Sequence, residues 1–131
     1  ERFLSSFRVF VELVRICGDS PSPHQAAAIG RIASHFMTLR RMSLSVAGML
    51  EAGKDVSVEA ALVKELGNNF EKLLPEIARL VVPDLSAVDP DKQRLFRETF
   101  EETLMLSPSF TLRGGTREIM RGVIARGLGL R

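Results

Sequence analysis

Apolar residues recur at intervals of three and four along successive stretches of this 131-residue chain, and no stretch sustains the every-second-residue alternation of a half-buried strand. On a helix, residues at those intervals stand above one another on a single face, so each stretch predicts a helix with one side turned to a core. The first stripe is Phe3, Phe7, Phe10, Val11 and Val14, on a helix from about Arg2 to Cys17. Gly18 ends it, and Asp19-Ser20-Pro21-Ser22-Pro23 is a turn-rich connector. The second stripe is Ile29, Ile32, Phe36, Leu39, Val46 and Leu50, with Ser43 at the one interrupted step. A helix from His24 to Glu51 would be about 40 Å long, at the usual rise per residue. Arg31, Arg41 and Ser45 mark its wet side, and Gly53 stops it.

Ser57 reads as the N-cap of a third helix whose stripe is Leu62, Leu66, Phe70, Leu73, Ile77 and Leu80. Gly67 weakens this helix by about 1 kcal/mol against Ala. Pro75 costs about 3 kcal/mol and one hydrogen bond, so a kink or break is expected between Glu71 and Leu74. Pro83 to Val88 is a linker. Asp89-Pro90 then gives an N-cap followed by a proline at the first helical position, and Phe96, Phe100 and Leu104 are the core face of a fourth helix. Ser107-Pro108-Ser109 ends it. After Gly114-Gly115, Thr116 caps a short final helix to about Leu128.

The fold these stretches specify is all-α: an antiparallel four-helix bundle with a short extra C-terminal helix, forming one domain over 1–131. A chain of this length buries about two-thirds of its unfolded surface, and its 45% hydrophobic and 26% charged residues are those of a globular protein. The longest apolar runs are a few residues, so no membrane span is expected. Glu1-Arg2-Phe3 has neither an initiator Met nor a leader-like composition, which reads as the start of a fragment of a longer protein.

Several chemistries find no support. Cys17 is the only cysteine, so no internal disulfide forms and a cytoplasmic setting is the default. With only His24 and His35 beside it, no zinc-ligand spacing is present and no metal is expected. Cys17 stands at a helix C-terminus, where the dipole disfavours a thiolate, and reads as a small core residue. Ser5, Ser6, Ser43 and Ser45 have no His or acid at a spacing that would activate a hydroxyl. The net charge of +2 is too small to imply nucleic acid, but five arginines stand beyond Thr111 against one acid, Glu118. Arg113, Arg117 and Arg121 lie four apart and read as a solvated face rather than a phosphate stripe, because no aromatic residues interleave them.

Thr111 to Leu130 reads TLRGGTREIMRGVIARGLGL. This is similar to the closing segment of acyl-CoA dehydrogenases, in which a Gly-Thr pair opens the last helix. Gly115-Thr116, Glu118-Ile119, Arg121 and Ile124-Ala125-Arg126 match that pattern in order and spacing. His24-Gln25 falls where the family has a His/Phe-Gln pair opening its second long helix, and the stretch Gly53 to Gly67 resembles its loop and Ala-x-x-Lys helix start. The resemblance covers nearly the whole chain. It implies the helical C-terminal domain of a flavoprotein that uses FAD to dehydrogenate an acyl-CoA substrate at Cα and Cβ. Such a domain serves subunit association, in a homo- or hetero-oligomer, and part of the flavin site.

The resemblance also implies where a catalytic base would stand. One branch of the family keeps a Glu immediately before the Gly-Thr pair, where this chain has Gly114. Another takes its base from early in the first long helix, a region upstream of Glu1, although Glu1-Arg2 is like the Glu-Arg pair that carries it. The expectation is that no catalytic residue lies in this chain, Glu1 being the one candidate, and that the chain alone is inactive. Of the family's flavin contacts, Thr116 and Glu118 match. Val14 to Gly18 keeps only the glycine of an Arg-x-x-Phe-Gly element, and Ala78 to Asp84 lacks a Gln-x-x-Gly-Gly element. These departures leave open a second reading, a non-catalytic acyl-CoA dehydrogenase-like subunit with a structural or partner-binding role. A helical ligand-binding domain of a regulator is a third, weakened by the lack of a DNA-binding helix pair.

Overall fold

The computed structural model describes residues 5–130, and among them five α-helices and no strand are present. They are α1 (Phe7–Cys17), α2 (Pro23–Glu51), α3 (Ser57–Val81), α4 (Pro90–Leu106) and α5 (Arg117–Gly127). Short 3-10 segments at Leu85–Ala87 and Ser107–Leu112 flank α4. No helix among the described residues is long and apolar enough to cross a membrane. Local chemistry explains the helix starts. Ser22 and Gln25 form a reciprocal capping box at α2, and Asp89 accepts from the backbone N–H groups of Asp91 and Lys92 at α4. At α3 the capping oxygen comes from Asp55, which accepts from the backbone N–H and the hydroxyl of Ser57. Ser57, expected as the cap, is instead the first helical residue, because the Asp55 carboxylate is the stronger acceptor.

α3 is the centre of the bundle. It packs against α1, α2, α4, α5 and the Ser107–Leu112 segment. α2 and α3 run antiparallel: the Gln25 side-chain amide at the start of α2 donates to the Val81 carbonyl at the end of α3, at 3.1 Å. α1 packs on α4, and α5 lies along the first half of α3. The core contains Val9, Leu13 and Ile16 of α1, Ile32 and Leu39 of α2, Phe96 of α4, and Phe70, Leu74, Ile77, Ala78 and Val81 of α3.

The helical periods are right, but three faces are rotated from expectation. On α1 the buried residues are Val9, Glu12, Leu13 and Ile16, whereas Phe7 and Val14 are exposed. Phe7 and Phe10 instead gather on Phe36 of α2, which meets Phe70 edge-on at 4.7 Å. α1 touches α4 on one side and α2 and α3 on others, so it is apolar on more than one face, and a single stripe picks out only the aromatic one. On α3, Phe70 and Ile77 are buried as expected, but Leu62, Leu66, Leu73 and Leu80 are exposed. On α4, Phe96 is buried, Leu104 is exposed, and Thr99 and Thr103 take the inner face.

The expected break before Pro75 does not occur: α3 is continuous from Ser57 to Val81. Pro75 is fully buried in the row of Leu74, Ile77 and Ala78. Packing of α3 on four other helices outweighs one missing hydrogen bond, which is how tertiary context overrides a local penalty of about 3 kcal/mol.

Candidate functional site

The segment that carries the family resemblance opens α5. Gly114 and Gly115 both have positive φ, at 71° and 112°, and turn the chain onto the first half of α3. A side chain at Gly115 would also meet the Met120 methyl at 2.8 Å. The turn is tied down by Lys64 of α3, whose ammonium donates to the Gly115 carbonyl at 2.8 Å. Lys64 closes the Ala61-x-x-Lys64 element, so two stretches singled out separately in the sequence meet 51 residues apart.

Thr116 occupies the N-cap position in an extended conformation, but its side chain does not cap the backbone. Its hydroxyl instead lies near the Glu118 carboxyl and helps to lower its pKa. That carboxyl is held below the usual range first by its own backbone N–H, then by the Thr116 hydroxyl, with smaller help from the charges of Arg117 and Arg121. Glu118 is fully ionised near neutrality, exposed, and a poor proton acceptor. With Arg121, Gly122, Ala125 and Arg126 it lines an open groove of about 350 Å³. The groove thus brings one carboxylate and two guanidinium groups to one surface, with Thr116 two residues before the carboxylate.

The arginines of this segment are only in part the solvated face expected of them: Arg121 is 64% and Arg113 40% exposed, yet each has partners on the bundle. Arg117 and Arg121 turn back onto α3, where their Nε atoms lie 3.2 and 3.3 Å from Oε1 of Glu65. The Asn69 amide donates to the same oxygen at 3.3 Å, and Oε2 of Glu65 is buried without a hydrogen-bond partner. Arg113 caps the ring of Phe110 at 4.2 Å, donates to the Ser5 hydroxyl at 3.1 Å and lies 3.9 Å from the buried carboxylate of Glu71. The spacing of four is thus the register of a neutralising row set against two acids of α3. Glu65 and Asn69 had no part in the sequence reading, and Glu71 entered it only as a bound of the expected break. The available signal was an acid falling on the inner side of α3, three residues before Asn68 and six before Glu71.

The other sequence candidates fall apart in space or in kind. Glu1 lies outside the described residues. Gly114, at one family base position, is a left-handed turn residue that a Glu would strain. Cys17 is partly buried at the edge of the core, and desolvation pushes its thiol above the ordinary range. His35 stacks on the Phe70 ring at 5.0 Å, and His24 is exposed at the start of α2. Among the described residues no group of three His, Cys, Asp or Glu side chains could hold a metal ion. Comparison with protein-family models, with curated proteins and with solved structures finds no match to the chain.

Proposed function

We propose that this chain is the helical C-terminal domain of an acyl-CoA dehydrogenase-like flavoprotein, contributing subunit association and part of the flavin site. The observation that carries this reading is the Lys64 to Gly115 bond, which joins the Ala-x-x-Lys element to the Gly115-Thr116 turn and so gives both matched stretches a shared structural purpose. Thr116 and Glu118 would hold the dinucleotide half of FAD from the α5 surface. The bound flavin would supply hydride acceptance from Cβ of an acyl-CoA thioester in a longer parent protein. The association role is supported by large apolar side chains left outside: on α2, Met37 is 70% and Leu44 57% exposed.

The α-proton of such a substrate needs a carboxylate, and among the described residues neither candidate near the matched segment, Glu65 or Glu118, suits the task. Glu65 is occupied by two arginines, Glu118 is held ionised, and position 114 has no side chain. On this reading the base of the parent lies outside residues 5–130, at Glu1 or before it. The same three observations favour, as a second reading, a non-catalytic subunit of this type. The two readings separate in solution. The purified chain mixed with FAD should be colourless after desalting and give no rate in an acyl-CoA dye-reduction assay. In the longer parent, replacing a Glu early in the first long helix by Gln should abolish turnover while flavin stays bound. A yellow, active chain refutes the placement of the base, and a parent that never binds flavin leaves only the non-catalytic reading.

A further inference from the structure

Between α2 and α3 lies a groove of about 590 Å³. That volume lies within the range of small-molecule sites. Leu39 and Met42 of α2 and Leu66, Phe70 and Leu73 of α3 make its walls. Leu66 and Leu73 are half-exposed within it, although they belong to the stripe that the sequence would send to the core. The polar lining is Arg31, Ser34, His35, Thr38 and Asn69, of which Ser34 and Asn69 are already hydrogen-bonded within the protein. Arg31 is the one permanently charged side chain on the lining, and no carboxylate stands on it. From Arg31 to Met42 the groove follows three turns of α2, about 16 Å at the usual rise.

From this arrangement we propose that the α2–α3 groove binds a single-chain amphiphile with an anionic head, the tail lying on Leu39, Met42, Leu66, Phe70 and Leu73 and the head meeting Arg31. The apolar part of the lining removes a hydrocarbon chain from water. The guanidinium at one end supplies a charge-assisted partner for a carboxylate, sulfate or phosphate monoester. A second copy of the chain fits less well: between His24 and Leu50, α2 carries arginines at 31, 40 and 41 and no acid, so pairing like faces brings cations together. The site is separate from Thr116 and Glu118 and does not depend on the flavin reading.

The test uses the full 131-residue chain and a series of alkyl carboxylates below their micellar concentrations. The chain has five methionines, of which Met42 lines the groove while Met105 and Met120 stand elsewhere. Titration with dodecanoate should shift the Met42 methyl resonance saturably and leave those of Met105 and Met120 in place. A fully buried methylene is worth about 0.8 kcal/mol, or about fourfold in affinity, so a half-open groove should give about fourfold per pair of methylenes from octanoate to decanoate to dodecanoate. Dodecyltrimethylammonium should bind about tenfold more weakly than dodecanoate, and Arg31→Glu should cancel or reverse that preference. Leu66→Asp, at a half-exposed position the fold tolerates, should abolish binding of dodecanoate, whereas Leu128→Asp, just past the end of α5, should change nothing. Methyl shifts spread over all the methionines, equal affinity for the cationic amphiphile, or chain-length independence would each overturn the proposal. So would a dimer in which Met42 is silent to dodecanoate and which Leu66→Asp dissociates, since the groove would then belong to a second copy.

Discussion

Neutralising Glu65 and removing its arginines should have unequal costs, and the inequality measures how far α5 desolvates α3. In Glu65→Gln the side chain still accepts a hydrogen bond but loses its charge. The Arg121 partner is 64% exposed, so its pair is worth about 0.2–1 kcal/mol. Arg117 is about a third exposed, and its charge-assisted bond contributes no more than about 1.5 kcal/mol. Burying an amide rather than a carboxylate offsets part of this, leaving a net loss of about 1 kcal/mol. The double change Arg117→Gln, Arg121→Gln keeps the carboxylate, 11% exposed, with Asn69 as its remaining partner at Oε1. That costs about 2–3 kcal/mol, less than the full penalty of a wholly buried lone charge. The triple variant should recover to about 1 kcal/mol, because no uncompensated charge remains. For a chain of this size 1 kcal/mol is about 3–5 °C in Tm, so thermal melts followed by circular dichroism resolve all three. If the double-arginine variant costs no more than Glu65→Gln, the carboxylate is solvated and the account of α5 docking is wrong.

Leu74→Ala, at a fully buried position of α3, should cost about 3–5 kcal/mol by urea denaturation, whereas Leu80→Ala, exposed on the same helix, should cost less than about 0.5 kcal/mol. Asp89→Ala removes the acceptor of two N–H groups at the start of α4 and should lower stability by about 1 kcal/mol in the same assay. Gly114→Glu restores one family carboxylate but forces it to φ near +71°, so it should cost about 1–2 kcal/mol and still give no dehydrogenation by the isolated chain. The Cys17 thiol is raised by burial, so the fold favours its protonated form: stability is whole below the unfolded thiol pKa and falls as pH rises through the folded one. A disulfide reagent at neutral pH should therefore label the folded chain many times more slowly than the urea-unfolded one. Equal rates would refute that burial.

Helix number, order and most ends were legible because caps and breakers are local: Ser22 to Gln25, Asp89-Pro90 and Gly53 act within a few residues of themselves. Which face each helix buries was less legible. Leu66 and Leu73 belong to a perfect three-four stripe yet line an open groove, while Val63, Leu74 and Val81, on a neighbouring row, go inside. A central helix with neighbours on several sides carries more than one apolar row, and periodicity alone does not rank them. Pro75 failed as a predictor of a break for the same reason, since its environment is set by four other helices. At the candidate site, Thr116 and Glu118 were placed at the start of a helix from sequence, and they are there. The destination of Arg117 and Arg121 was not legible, because their partner Glu65 lies more than fifty residues away and nothing local records the pairing.

α5 has no fully buried residue, and its union with α3 rests on Lys64, Glu65 and part-buried side chains. In thermodynamic terms its docking is an intramolecular association of modest strength, separable from the unfolding of the remaining helices. Any ligand held by Thr116 and Glu118 must therefore select the docked fraction, and its apparent dissociation constant is the intrinsic one divided by that fraction. Added salt, by screening the half-exposed Arg121, lowers the docked fraction and weakens the ligand with no change in the ligand's own contacts. By reciprocity the ligand would fasten the helix. Slowed amide hydrogen exchange confined to residues 117–127 would then be the sign of an occupied site.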